Sequence, residues 1–348
     1  MWLLYGANGT TGRLLLEVWQ AHFSDLPKPL IAGRNAIAMR ALGEKYGLEW
    51  AAFPLENLGK QSLNGIQLVV NLAGPYQETA RPWVEACLHA GVAYMDICGE
   101  WRTFQWMYSL PSVSVPLITA AGYDTVVGEG ALYFLRKAFP QSKRLKLGIY
   151  ARGGFSAGTV KSALGMLTEG YYIWQQGALL PVPFQTTRWQ VSQGKAYEFA
   201  IGTLAELITF PAWNPDIESL SAWVALPKRY WRWRPLLERV FVWKPFLSGM
   251  QRLLDAQRGQ LAQKMDKTAR SLVIAQSEYG EVRVRSPQPY VLTAWTTLAS
   301  VRLFFSVGAE KGVASAFARW REHLWACLPE MEVSYAEVSP SDRWIDCP

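Results

Sequence analysis

Three glycines at intervals of three lie in Gly6-Ala7-Asn8-Gly9-Thr10-Thr11-Gly12, directly after the apolar run Trp2 to Tyr5. Leu14, Leu15, Leu16, Val18 and Trp19 then begin a helical pattern. A buried strand, a glycine-rich turn and a helix in that order make a phosphate cradle, because the free N–H groups and positive dipole end of the helix face the anion. In that role Gly6 permits the tight turn, Gly9 lets a pyrophosphate approach the backbone, and Gly12 lets helix and strand pack closely. Asn8, Thr10 and Thr11 line the same turn. The spacing is G-x-x-G-x-x-G, so the dinucleotide fingerprint is matched in a modified form.

Pro29 to Ala32 reads as a second apolar strand, ended by Gly33-Arg34-Asn35. The tip of the second strand is where a dinucleotide fold meets the adenosine ribose. An acidic residue there suits the 2′-hydroxyl of NAD, and an arginine the 2′-phosphate of NADP. Arg34 stands there with no Asp or Glu adjacent, which points to NADP, with NAD as the other dinucleotide the cradle admits. The competing reading makes Arg34 a solvated residue after a turn. Asn35 is placed to cap the next helix, Ala36 to Tyr46. A fourth strand, Gln67 to Leu72, runs into Ala73, Gly74, Pro75 and Tyr76. Ligands lie against the carboxyl ends of parallel strands, so this turn is expected to touch the nicotinamide half. Tyr76 either shapes that end or forms an aromatic lid on the sheet.

Groups for proton transfer are scarce. Asp96 and Glu100 flank the end of a fifth strand, Val92 to Ile97, and Asp124 follows a sixth, Val115 to Thr119. They serve only if burial raises their pKa values; such carboxylates more often cap a helix or anchor a loop. Tyr133 and Lys137 have the Tyr-x-x-x-Lys spacing of short-chain dehydrogenases, but the preceding strand end, Ile118 to Ala121, carries no serine. Neither the three histidines nor the four cysteines have metal-ligand spacing.

Strands and helices alternate through the first third, which predicts an α/β, Rossmann-type doubly wound parallel sheet. From Lys143 the texture changes. Leu145, Leu147 and Ile149 alternate, as do Arg188 to Val191, Ala196 to Ile201 and Glu281 to Arg285, like half-exposed antiparallel strands of a second domain. With 348 residues, half of them apolar, the chain is long enough for both. The 17 Trp exceed what such a core needs and suggest aromatic surfaces around a ligand or at an interface. The net charge of +7 favours anionic partners without choosing among them. No signal peptide or membrane span is legible, so the expected compartment is cytoplasmic and reducing.

Pro227 to Leu254 is the most unusual segment. Lys228, Arg229, Arg232, Arg234, Arg239 and Lys244 face only Glu238 and are interleaved with Tyr230, Trp231, Trp233, Phe241, Trp243 and Phe246. A basic, Trp-rich amphipathic stretch suits a bilayer surface, giving peripheral membrane contact. It suits equally a cover over a substrate cleft. No nucleic-acid module accompanies it.

Several stretches together resemble the saccharopine dehydrogenase-like oxidoreductases: Gly6 to Gly12, Ala32 to Asn35, Val69 to Tyr76, Ala93 to Glu100 and Ala121 to Thr125. They fall in family order and at family spacing. Ser156 to Ser162 resembles the start of the family's first second-domain helix. The resemblance implies a dinucleotide-binding domain over 1–141, an inserted α+β substrate domain over 142–289, and C-terminal helices over 290–348 that return toward the first. It also implies hydride chemistry with a nicotinamide cofactor. The branch includes trans-acting enoyl reductases and lipid-droplet proteins, so the implied substrate is a small molecule or lipid, and an oligomer is compatible. Two departures bear on the substrate. Asp124-Thr125-Val126 replaces the Asp-Pro-Gly turn of saccharopine-forming enzymes, and Lys311 to Ala316 replaces a Gly-Gly-Val-x-Thr-Pro run.

Overall fold

A computed structural model describes residues 1–58, 63–154, 169–192, 195–225 and 266–337. The segment 227–254, the stretch 156–162 and the tail from 339 lie outside the described residues. Contacts divide the chain into two units: Met1–Val126 with Tyr290–Pro329, and Val127–Pro289 with Glu330–Pro348.

The first unit opens on β1 (Trp2–Tyr5), followed by α1 (Thr10–His22), β2 (Pro29–Gly33), α2 (Ala36–Tyr46), β3 (Trp50–Ala52), β4 (Leu68–Asn71), α3 (Tyr76–Ala90), β5 (Ala93–Asp96), α4 (Trp101–Tyr108), β6 (Pro116–Thr119) and α5 (Tyr123–Ala138). The sheet order is β6-β5-β4-β1-β2-β3, with the strand Gly312–Ser315 beside β6. Every neighbouring pair is parallel, so all seven carboxyl ends share one edge. The chain reverses direction of winding between β1 and β4, the switch point at which such sheets take ligands.

β1 is central because nothing in it tolerates water: Trp2, Leu3 and Leu4 are fully buried, and the Trp2 indole donates to the Pro27 carbonyl at 2.7 Å. Glycines end two of the helices in the left-handed conformation, Gly47 after α2 (φ 63°) and Gly91 after α3 (φ 71°). The uncharged run near residue 290 is the helix Pro289–Ser306, buried on most of its circumference. The hydroxyl of its Thr296 donates to the Ala121 carbonyl at 2.7 Å, which fastens the loop after β6. Among the described residues no helix is long and apolar enough to cross a membrane.

Among the described residues the second unit holds a nine-stranded mixed sheet. Ser219–Ala225 runs parallel to Arg144–Tyr150, while Ser271–Gln276 and Gly280–Ser286 pair antiparallel. Glu332–Glu337 adds an edge strand beside Gly280–Ser286, which places it with this unit although Pro289–Ser306 belongs to the first. The division after Val126 falls inside α5, upstream of the change in sequence texture at Lys143.

The tryptophan surplus is a feature of the core as well as of surfaces. Trp2, Trp19, Trp83 and Trp101 are buried in the first unit, as is Trp320; Trp189 and Trp223 are buried in the second. These seven serve the core, so the suggested ligand or interface surfaces do not draw on them. Large rings fill space between sheet and helix that smaller side chains would leave empty.

Candidate functional site

The turn after β1 is built by close approaches that only glycine allows. Gly6 has φ +86°, and a Cβ there would sit 3.0 Å from the Ala73 nitrogen, where the loop after β4 crosses. At Gly12 a Cβ would lie 2.6 Å from the Ala7 carbonyl and 2.7 Å from that of Gly6, so α1 is pressed against the turn. Gly6 N–H donates to the Ala32 carbonyl at 2.8 Å, which ties the turn to β2. Asn8 continues that tie: its Oδ1 lies 3.3 Å from where a Cβ on Gly33 would be.

Helix N-termini on this edge are treated in two ways. α2 is capped by Asn35, whose Oδ1 accepts from Ala38 N–H at 3.0 Å. α3 is capped across space by Glu100, whose two oxygens accept from Tyr76 N–H at 3.1 Å and Gln77 N–H at 2.9 Å. α1 has Gly9 as its N-cap, no side-chain cap and no acidic residue in its first turn. Its first-turn amides at Thr10, Thr11 and Gly12 therefore keep their donor capacity and dipole for an external anion. A dinucleotide pyrophosphate fits this chemistry.

Arg34 follows directly on β2, is exposed, and makes no ion pair among the described residues. Its charge acts on the Tyr5 hydroxyl, whose pKa is raised mainly by burial and partly restored by Arg34. The turn after β4 is held from below. Asn71 is fully buried; its Oδ1 accepts from Ala73 N–H at 3.0 Å, and its Nδ2 donates to the hydroxyls of Thr79 (3.3 Å) and Tyr94 (3.2 Å). Gly74 and Pro75 are left exposed, joined by a cis peptide bond.

The four candidate proton-transfer groups separate by environment. Asp96 is completely buried, and its Oδ1 accepts from Cys98 N–H (3.1 Å), Ala120 N–H (3.0 Å) and the Thr119 hydroxyl (2.8 Å). Burial pushes its pKa up against those donors, and its work is to join the ends of β5 and β6. Glu100 spends both oxygens on α3. Tyr76 is the first residue of α3 rather than part of the turn; its buried hydroxyl donates to the Asn71 carbonyl at 3.4 Å, and burial beside Asp96 holds its pKa well above the usual tyrosine value. Asp124 alone of the four is an exposed residue, in the first turn of α5. Protein packed around it still desolvates the charge, lifting its pKa to about 6.

Sequence reasoning passed over two residues. Asn71 was legible as a polar residue ending an apolar strand. Arg13 is exposed on α1, and its Nε donates to the Asn8 carbonyl at 3.1 Å. Its signal was its place one residue beyond the glycine run.

Residues 2–113 match the family model of the saccharopine dehydrogenase NADP binding domain. A trans-acting enoyl reductase of Mycobacterium tuberculosis is 28% identical over 145 residues, 38% of this chain and 34% of that protein. A lipid droplet localized protein of Caenorhabditis elegans is 28% identical over 155 residues, 39% of this chain and 36% of that protein. The match thus spans less than half the length of these relatives. Among solved structures, apo saccharopine dehydrogenase (L-Glu forming) from Saccharomyces cerevisiae aligns with a TM-score of 0.62 at 11% identity, covering 97% of this chain and 99% of that one. At that identity the likeness concerns the fold. Residues 2–113 thus resemble a saccharopine dehydrogenase NADP binding domain, and the chain shares its fold with the yeast enzyme.

Proposed function

We propose that the chain is an NADP(H)-dependent oxidoreductase acting on an apolar, lipid-like substrate. The observation that carries this reading is the open N-terminus of α1, beside two neighbouring helix starts that the chain caps with its own side chains. The amides at Thr10, Thr11 and Gly12 would hold the pyrophosphate, with Gly6, Asn8 and Gly9 shaping the turn. Arg34 would take the 2′-phosphate, Asn35 would fix its approach by capping α2, and Ala73, Gly74 and Pro75 would line the nicotinamide side.

The bound cofactor supplies or accepts a hydride. Of the side chains weighed for the accompanying proton, Asp124 is the accessible one with a pKa near working pH, and it would hold or release that proton at its carboxyl oxygen. Support for an apolar substrate comes from the relatives named for enoyl reduction and for lipid droplets. Incubating the full chain with NADPH and a panel of enoyl and keto lipids, while following loss of reduced-nicotinamide absorbance, tests the reading. Oxidation with a lipid acceptor supports it, and binding without turnover across the panel counts against it.

The second reading is a non-catalytic dinucleotide-binding protein docked on a lipid surface. The basic, Trp-rich composition of Pro227 to Leu254 and the lipid-droplet relative favour it. Co-sedimentation with anionic vesicles, compared between the full chain and one lacking 227–254, tests the docking.

A further inference from the structure

We infer that Arg13 joins Arg34 in holding the 2′-phosphate of NADP(H), so that two guanidiniums from different elements set the preference over NAD(H). The inference rests on the nucleotide reading above. Arg13 is the fourth residue of α1, and its Nε is turned back onto the loop by the bond to the Asn8 carbonyl. Asn8 in turn abuts Gly33, the last residue of β2, and Arg34 is the next residue in the chain. Arg13 is therefore bonded to a loop residue that touches the β2 tip, on the side where the adenosine ribose of a dinucleotide lies.

The charges there are unbalanced. Arg13 and Arg34 are both exposed, and neither makes an ion pair among the described residues. Glu56 is within electrostatic reach of Tyr5, as Arg34 is, yet forms no ion pair with Arg34. Two guanidiniums on adjoining elements, neither of them in an ion pair among the described residues, suit a multivalent anion at that corner. With Nε fixed by the backbone carbonyl, the terminal nitrogens of Arg13 remain as donors for a phosphate oxygen. The pyrophosphate is the competing destination, and it is common to both nucleotides, whereas the 2′-phosphate belongs to NADP(H) alone.

Titrating the full chain with NADPH and with NADH, followed by quenching of tryptophan fluorescence, separates the two. For Arg13→Gln, loss of one charge-assisted contact should weaken NADPH about tenfold and leave NADH within about twofold. Arg13→Lys should recover part of the NADPH affinity, which a merely misfolded variant would not. Equal weakening of both nucleotides by Arg13→Gln would assign the residue to the pyrophosphate, and no change in either would give it no nucleotide contact; each overturns the inference. If the parent chain binds neither nucleotide, the nucleotide reading itself fails.

Discussion

Glu100 accepts the amide hydrogen of Tyr76 through Oε1 while its Oε2 accepts that of Gln77, so a carboxylate from the loop after β5 caps the helix that follows β4. This contact sets the relative height of the loops after β4 and β5 at the carboxyl edge of the sheet. It also assigns Glu100 to architecture. Glu100→Ala should lower stability by about 1–2 kcal/mol, the scale of a lost charged cap. A denaturant melt checks this, and unchanged stability would show the cap to be dispensable.

Gly12 offers a sharper steric test. A methyl group there would lie 2.6 Å from the Ala7 carbonyl and 2.7 Å from that of Gly6, both backbone atoms with little room to yield. Gly12→Ala should cost about 1–3 kcal/mol by overpacking and push α1 off the turn. NADPH affinity should fall with it. A variant of parental stability and affinity would mean that the helix can shift without disturbing the cradle.

Asp124 makes a prediction about pH. Its folded pKa of about 6 lies above the ordinary carboxylate value, so the folded chain holds a proton that the unfolded chain releases between about pH 4 and 6. That contribution to stability is complete below the unfolded pKa and is lost as pH rises through the folded one. Asp124→Asn removes the loss, so its melting temperature should gain on the parent as pH rises through 6. If Asp124 donates the proton during substrate reduction, kcat/KM should fall above about pH 6, and that inflection should be absent from the residual activity of Asp124→Asn.

The edge-forming elements were readable because each carries a local cause. The glycine run, the apolar strands at Pro29–Gly33 and Leu68–Asn71, the Asn35 cap and the glycine stops at Gly47 and Gly91 all act within a few residues of themselves. The roles of Asp96 and Glu100 were not readable in the same way. Apart from the Cys98 amide, the partners given for them lie 23 or more residues away along the chain, on strands and helices whose juxtaposition no local pattern encodes. Gly312–Ser315 was missed for a related reason: four residues without alternation become a strand only because the exposed side of β6 offers a parallel ladder. The hairpin of Tyr171–Gln175 and Ala178–Val182 hid in an uncharged run, with Gln176 and Gly177 at positive φ in place of the usual Asn-Gly.

Arg34 bears most directly on the account of the cofactor site. Titration of the parent chain and of Arg34→Asp with NADPH and NADH, by calorimetry or fluorescence, measures its role without need of a substrate. The account predicts that the parent binds NADPH the more tightly, and that Arg34→Asp weakens NADPH by at least about tenfold while changing NADH far less. Equal effects on both nucleotides, or a parent chain that binds neither, would contradict it.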